Sequence, residues 1–141
     1  MIGYNDIKSM SVYFYVQRKT TFRKWYTPMQ FDIERLNVGD AMDLSSGIFT
    51  APRSGQYFFS FSGHSVNGNT HAGLYRNNVI VGDSYGLTRR TTLSMESILN
   101  LQKGDKITIK ISWGDIFDKA EDCCGPYTHF TGMLIEEQLN F

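Results

Sequence analysis

The sequence predicts an all-β domain, either a sandwich or a barrel, and three observations lead to this prediction. Residues 49–63 read FTAPRSGQYFFSFSG, and Tyr57, Phe59 and Phe61 in this run share one parity. Because side chains alternate between the two faces of a strand, the three rings lie on one face of a sheet. Similar short runs recur between turn residues along the chain, at spacings of about 8–12 residues. No window shows apolar residues at i, i+3, i+4 and i+7 over three helical turns.

The N-terminal part of the chain contains two predicted strands before this aromatic run. The second of them alternates, with Phe31 and Ile33 on one parity and acidic residues on the other. The turn before the aromatic strand is marked by Pro52, which fixes φ, and by Gly55, which adopts conformations closed to other residues. In chain order these segments are SVYFYVQR (11–18), MQFDIERL (29–36), the turn NVGD (37–40) and the strand that follows SGIFTAPRSG (46–55).

The C-terminal part contains five more predicted strands, several of them joined by short turns. Asn77 and Asn78 tolerate positive φ and therefore favour a hairpin turn. In residues 107–113 three isoleucines and Trp113 share one parity and polar residues occupy the other, which is typical of a half-buried strand. In chain order the segments are HAGLYRNNVIVGDSYG (71–86), TTLSMESILNL (91–101), the turn Lys103–Asp105, ITIKISW (107–113) and HFTGMLIEE (129–137).

Phe58 is the exception to the simple alternation of the aromatic strand. It points to the opposite side from Tyr57, Phe59 and Phe61, so this strand is apolar on both faces. Aromatic rings each bury roughly 150–250 Å² and are costly to leave in water. The second face therefore needs a cover, which is either another sheet or a neighbouring protomer.

Length and composition limit the classes of function. The chain has 141 residues, which predicts a single domain over residues 1–141 with a substantial core. The formal net charge is zero, which argues against a general nucleic-acid or membrane-surface role. Apolar stretches stay well below the roughly 20 residues of a membrane span, so membrane insertion is not expected. The opening MIGYNDIKSM does not match a signal peptide, and no Gly-x-y repeat of a collagen-like stalk occurs.

Recognisable catalytic motifs are missing from the sequence. The three histidines, His64, His71 and His129, lack metal-ligand spacing and have no nucleophile motif beside them. A G-x-S-x-G elbow and a glycine-rich phosphate loop are also absent. We therefore expect a protein that is not an enzyme.

One loop, GDIFDKAEDCCGPY (114–127), is acidic. Calcium takes six to eight oxygen ligands in variable geometry, so clustered carboxylates are candidate ligands for it. The alternative is a solvated loop with no metal. The four candidate calcium ligands are Asp115, Asp118, Glu121 and Asp122.

Cys123 and Cys124 are adjacent in the same loop. Neighbouring Cα atoms lie about 3.8 Å apart, below the usual span of a disulfide, so a vicinal bridge is strained but feasible. Free thiols, a vicinal disulfide and a bridge to another chain all remain open at this point.

Taken together, these spacings resemble the globular head domain of the complement C1q family. Its signature is an aromatic residue, Asn or Asp, a large apolar residue, Phe, and a closing G-x-Y-x-F-x-[FY]. The matching residues, at the family's spacing, are Phe31, Asn37, Met42, Phe49, Gly55, Tyr57, Phe59 and Phe61. Met42 is the one departure, since the family carries Phe, Tyr, Trp or Leu there. Three further segments are similar to the family's first strand, its Gly-Asp hairpin and its last strand: VYFYV (12–16), LNLQKGDKI (99–107) and FTGMLI (130–135).

The resemblance implies a jelly roll of two antiparallel sheets, shared with tumour-necrosis-factor ligands, that assembles as a compact homotrimer. It also implies an extracellular location. In such a trimer Tyr57, Phe59 and Phe61 face into the subunit or partly toward the three-fold axis. The residues expected in the core or at the trimer interface are Phe31, Phe49, Gly55, Tyr57, Phe58, Phe59, Phe61, Phe130 and Gly132.

Several members of this family bind calcium near the top of the trimer, through acidic residues in the connection that corresponds to GDSYGLTRRTT (82–92). Here that connection keeps Asp83 but then carries Arg89 and Arg90, whose charges oppose a bound cation. The acidic loop described above is the alternative calcium site.

The resemblance implies a non-catalytic, trimeric recognition module that binds a protein, a glycan or another anionic ligand. Loops are the expected contact regions, because the strands are committed to the core. The candidate ligand-binding residues are Arg89, Arg90 and, in the loop SVNGNTH (65–71), His71. The alternatives are a signalling ligand for a cell-surface receptor, as in the tumour-necrosis-factor branch, and a head domain of a structural matrix protein.

Overall fold

A computed structural model describes residues 10–139, and these residues form two antiparallel five-stranded sheets. The first sheet has the strand order β2-β1-β10-β5-β8 and the second has the order β3-β4-β9-β6-β7. The predicted all-β fold of two antiparallel sheets is confirmed. The strands are β1 (Tyr13–Gln17), β2 (Ile33–Val38), β3 (Met42–Asp43), β4 (Ile48–Thr50), β5 (Gly55–Ser65), β6 (Thr70–Arg76), β7 (Val79–Gly86), β8 (Thr91–Leu101), β9 (Lys106–Trp113) and β10 (His129–Glu137).

The two ends of the first sheet differ in what they carry. At one end, which we call the base, Gly55 of β5 pairs with Leu101 of β8 and with Glu137 of β10. At the other end, the apex, Ser65 of β5 pairs with Thr91 of β8. Since β1 starts opposite the last part of β10, both described ends of the chain lie at the base.

The core lies between the inner faces of the two sheets and is rich in aromatic rings. Tyr57, Phe59 and Phe61 point into it and are at most 1% exposed. Phe59 meets Phe49 edge to face at a centroid distance of 5.4 Å. The Tyr57 hydroxyl donates to the Arg53 carbonyl oxygen at 2.7 Å, and burial raises the pKa of this phenol. Phe31 and Phe130 are buried in the same cluster.

Two glycines of the predicted set are required by close packing. A Cβ on Gly132 of β10 would lie 2.3 Å from the Phe14 ring and 2.9 Å from the Phe59 ring. A Cβ on Gly55 would lie 2.3 Å from the Glu136 carbonyl oxygen, which is backbone and cannot move aside cheaply. Gly132 thus leaves room for core rings, and Gly55 allows the backbone of β10 to approach β5 at the base.

Most strand positions agree with the sequence predictions, and the differences are local. The hairpin turn falls at Asn77 and Asn78, with φ of 50° and 69°. Strand β2 begins at Ile33 rather than at residue 29, and Phe31 lies buried before it. The sequence patterns do not predict β3 and β4 as separate strands. Residues 1–9 and 140–141 of the predicted single domain, and most of the segment MIGYNDIKSM, lie outside the described residues.

Within residues 10–139 no helix has the length and apolar character needed to cross a lipid bilayer.

Candidate functional site

A cleft of about 310 Å³ opens at the apex and contains one of the predicted ligand-binding residues. We call it the apex pocket; its walls are His64, Val66, Arg90, Phe117 and Tyr127. Its volume is at the lower end of the range of small-molecule sites, and like them it combines mostly apolar walls with few polar groups. Arg90 and Val66 of the loop 65–71, which come from two separately predicted contact regions, both line it.

The aromatic walls of the apex pocket stack on one another. The Phe117 and Tyr127 rings are 5.9 Å apart at an interplanar angle of 23°, and His64 lies 6.0 Å from Tyr127. The Phe117 amide donates to the His64 carbonyl oxygen at 2.7 Å, which fixes this wall to the end of β5. The rings therefore offer an apolar surface beside the exposed, charged side chain of Arg90.

Arg90 and Arg89 lie in the turn that joins β7 to β8, and both are exposed. Arg90 has a φ of 58°, an uncommon conformation for a residue with a side chain. The turn is held by Thr91, whose hydroxyl donates to the Thr88 carbonyl oxygen at 2.5 Å. Only Arg90 lines the apex pocket; Arg89 adds positive charge close to it in the chain.

Asp118, a predicted calcium ligand, instead organises the loop that carries the aromatic walls. Its carboxylate is buried and accepts four backbone N–H groups, two on each oxygen. The donors are Lys119 and Ala120 on Oδ1, and Tyr127 and Thr128 on Oδ2, at 2.9–3.2 Å. One side chain thus closes the loop and sets the position of Tyr127.

The other three candidate calcium ligands, Asp115, Glu121 and Asp122, do not lie together with Asp118. Asp115 is buried and accepts the Asn67 amide at 2.8 Å, while Asp122 pairs with Lys119 at 3.7 Å on the surface. Glu121 is exposed. In the part of the chain that the structure describes, no three His, Cys, Asp or Glu side chains converge on a metal position. The four candidate calcium ligands therefore do not converge on one position among the described residues, and the buried carboxylates of Asp115 and Asp118 accept backbone and side-chain donors.

His71 does not lie in the apex pocket. It lies on the outer face of the second sheet, where its Nε2 is 3.0 Å from Asp83 Oδ2 and its Nδ1 is 3.1 Å from Ser112 Oγ. Ser, His and Asp also make up hydrolase triads, but there an accessible serine and a buried acid are needed. Here Ser112 is 9% exposed and the Asp83 side chain is 59% exposed, so the accessibilities are reversed. Asp83, the acid that remains in the connection 82–92, thus contacts His71 on this face.

Trp113 departs from the sequence prediction. Its parity places it with Ile109 and Ile111, which are fully buried, yet Trp113 is 38% exposed. The register shows the reason: Ala72 pairs with Ile111 but His71 pairs with Trp113, so Ser112 is an extra residue in a β-bulge. A bulge re-aims the side chain that follows it, here toward the outer face of the second sheet.

The outer face of the first sheet carries apolar side chains in one row across all five strands. Val38, Tyr13, Met133, Phe58 and Ile98 are successive register partners from β2 to β8. Val38 and Tyr13 are each 37% exposed, Met133 is 43% exposed and Ile98 is 64% exposed. Phe58 is half-buried. Within residues 10–139 no second sheet of the same protomer covers this apolar row. Of the two covers expected for Phe58, the described residues thus provide no second sheet, and a neighbouring protomer stays the prediction.

Cys123 and Cys124 form a disulfide with each other, so of the three alternatives the vicinal bridge is the one observed. Both residues are exposed at the apex, within the loop that Asp118 closes.

Comparisons with known proteins agree with this architecture. The family model described as "C1q domain" matches residues 13–135. The chain is 30% identical over 115 residues to zebrafish Caprin-2, covering 77% of this chain and 12% of Caprin-2. It is 27% identical over 133 residues to human complement C1q tumor necrosis factor-related protein 3, covering 91% of this chain and 52% of that protein. The chain thus spans 12% and 52% of the length of these two relatives.

Solved structures show the same fold. The globular domain of zebrafish complement 1qA superposes with a TM-score of 0.74 at 22% identity, covering 90% of this chain and 99% of that one. Murine APRIL gives 0.68 at 12% identity, with 89% and 99% covered. These identities support the fold alone, which is the jelly roll shared by C1q heads and tumour-necrosis-factor ligands. With the family model matching most of the chain, the protein belongs to the C1q domain family.

Proposed function

We propose that this chain is the ligand-binding head of a non-catalytic recognition protein that works as a homotrimer outside the cell. The apolar row on the first sheet is the observation that carries the proposal. Tyr13, Met133, Phe58 and Ile98 are adjacent and partly exposed, and such continuous apolar surface marks an interaction site. The rest of the proposal concerns what covers this row and what the apex binds.

A second and a third copy of the chain are the proposed cover. A closed cyclic assembly buries the row on every protomer and leaves no open contact at which fibres could grow. Assembly as trimers is typical of the C1q and tumour-necrosis-factor families. Phe58 would then lie between protomers while Tyr57 and Phe59 stay in the core of one.

The apex pocket is the proposed ligand site. The Arg90 guanidinium would pair with a carboxylate, sulfate or phosphate group, and the stacked rings of Phe117 and Tyr127 would contact the apolar part of the ligand. Three pockets in one trimer would raise the apparent affinity for a ligand that repeats, without a larger individual site.

The vicinal disulfide supports the extracellular location. Disulfides persist in oxidising compartments and are rare in the cytosol. Because Cys123 and Cys124 are exposed, cytosolic reductants would reach and reduce this disulfide, whereas it would persist outside the cell.

Light scattering tests the assembly. At micromolar concentration we expect a mass three times that of one chain. A stable monomer under these conditions would contradict the proposed trimer, whatever the apex binds.

The proposed ligand binding at the apex pocket is tested with an array of glycans and peptides. The array contains sulfated and carboxylated members and their neutral counterparts. It is probed with the confirmed trimer, with and without calcium. Arg89→Glu combined with Arg90→Glu should weaken anionic ligands about tenfold or more, because an attraction becomes a repulsion. Melting and trimer mass should not change, since both arginines are exposed. Anionic ligands that bind the double variant as well as the parent would contradict the role of these arginines.

A further inference from the structure

The outer face of the second sheet carries an exposed pair of aromatic rings. Trp113 of β9 and Tyr85 of β7 both pair with His71 of β6, so the three rings lie in one row. The Trp113 and Tyr85 rings are 5.7 Å apart at an interplanar angle of 77°, and they are 38% and 52% exposed. We call this pair the aromatic corner. His71 stacks on Trp113 at 4.8 Å and 24° and thereby supports its ring from one side.

The corner exists because of a departure from regular strand geometry. Without the bulge at Ser112, Trp113 would follow Ile109 and Ile111 into the core. Bulges are common beside functional sites because they re-aim a side chain at the expense of one ladder position. An exposed tryptophan placed in this way presents a large π-face to solvent instead of adding to the stability of the core.

A carboxylate lies next to the corner. Asp83 Oδ2 is 3.0 Å from His71 Nε2, and the Asp83 side chain is 59% exposed. Among the described residues Asp83 has no lysine or arginine partner within ion-pair distance. Its negative charge is therefore available to a ligand that also touches the rings.

The same face already holds one ammonium group in this manner. Lys110 Nζ lies 4.9 Å above the centroid of the Tyr75 ring, and it donates to Asn78 Oδ1 at 3.1 Å. Lys110 and Asp83 both pair with Gly73, from opposite sides, so they are separated by two inter-strand spacings, roughly 9–10 Å. The fold thus satisfies its own cation on Tyr75 and leaves Asp83 without one.

We propose that the aromatic corner, together with Asp83, binds an alkylammonium cation, the group carried by a lysine side chain and by choline. The cation lies against the faces of Trp113 and Tyr85, where the ring quadrupoles attract it, and the Asp83 carboxylate compensates its charge. A neutral ligand of the same shape gains the apolar contact but neither electrostatic contribution.

The corner is independent of the function proposed above. It lies on the opposite side of the sandwich from the apolar row, so it stays accessible when that row is covered. It also prefers a ligand of opposite charge to that of the apex pocket. Loss of either site by mutation leaves the other to be measured in the same protein.

Fluorine NMR of the intact chain labelled with 5-fluorotryptophan provides the test. The chain has two tryptophans, and a Trp25→Phe variant assigns the remaining signal to Trp113. The probes are choline, its neutral isostere 3,3-dimethylbutan-1-ol, Nα-acetyl-lysine methylamide and methyl glucoside. We expect a saturable shift of the Trp113 signal with both cations. The comparison of choline with the lysine derivative shows which source of the ammonium group is preferred.

Two variants and one control identify the residues involved. Asp83→Asn should weaken choline binding about threefold to tenfold, and Tyr85→Leu about tenfold, as loss of a charge partner and of one ring predicts. Trp25→Phe should leave the affinity unchanged. A melting curve equal to that of the parent, expected because Asp83 and Tyr85 are exposed, ensures that each variant is folded.

Three results would overturn the proposal. The first is the lack of a saturable shift with either cation, and the second is an equal response to 3,3-dimethylbutan-1-ol. The third is a response to methyl glucoside in place of the cations, which would assign the corner to sugars.

Discussion

The outer faces of the two sheets both expose large side chains, but they differ in the polar groups that accompany them. On the first sheet, Met133, Phe58 and Ile98 are register partners on neighbouring strands and form an apolar row, with polar residues such as Ser60 and Glu96 at the next positions of the same face. On the second sheet, Trp113 and Tyr85 flank His71. The His71 ring is hydrogen-bonded to Asp83 and Ser112. The row of Met133, Phe58 and Ile98 has no charged group of its own, whereas the second sheet keeps the Asp83 carboxylate beside its exposed rings.

This difference indicates two kinds of partner. A row of adjacent apolar side chains has no desolvation penalty when it is buried, so a permanent protein contact suits it. A surface with an exposed carboxylate pays a desolvation penalty in a dry contact and is better suited to a ligand that brings a complementary charge. Both faces expose aromatic rings, so it is the neighbouring charged group that distinguishes the two kinds of partner.

The largest expected effect compares two neighbouring residues of β5. Tyr57→Ala removes a fully buried ring and should lower the free energy of unfolding by about 3–5 kcal/mol. Phe58→Ala removes a ring from the outer face and should cost an isolated protomer less than about 1 kcal/mol. Denaturant unfolding at concentrations below and above the association midpoint measures both. Equal losses for the two variants in the dilute sample would remove the distinction between core and outer face.

The second effect places one negative charge on each outer face. Met133→Glu puts a charge inside the proposed apolar contact and should weaken self-association at least 100-fold, about 2.7 kcal/mol. Tyr85→Glu puts the same charge on the second sheet and should leave the association unchanged. Analytical ultracentrifugation of the two variants beside the parent gives both values. If Tyr85→Glu dissociates the assembly and Met133→Glu does not, the roles of the faces are exchanged.

The smallest effect concerns the connection from β9 in the second sheet to β10 in the first. Asp118→Asn leaves an amide where a carboxylate accepts four backbone N–H groups, and should cost about 1–3 kcal/mol. Asp122→Asn is the matched control, because this exposed acid makes only a surface ion pair, with an expected loss below about 1 kcal/mol. Thermal melting of the two variants, with and without calcium, separates this role from metal binding. A calcium-dependent melting temperature that only Asp118→Asn abolishes would restore Asp118 as a metal ligand.

The strands that the sequence predicts well are those with long, regular alternation. Strand β8 runs from Thr91 to Leu101 and β10 from His129 to Glu137, as the patterns of those segments indicate. Strands β3 and β4 have two and three residues, too few for a period of two to be visible. Their pairing depends on neighbours that are distant in the chain.

The features of the candidate sites were less accessible to sequence reasoning. Parity assigns Trp113 to the core, because nothing in ITIKISW reveals that the ladder gains an extra residue at Ser112. Acidic composition favours a metal at Asp118, because composition cannot show that its acceptors are filled by amides up to ten residues further along. Arg90 was found as an exposed charge in a connection, while its neighbours Phe117 and Tyr127 come from a loop remote in sequence.

The position of both described chain ends at the base has a practical consequence. A tag, dye or surface tether that is attached directly at Met10 or Leu139 leaves the molecule from the side opposite to the apex. If the protein is immobilised on a sensor chip through either of these residues, Arg90 and the apex pocket face the flowing sample.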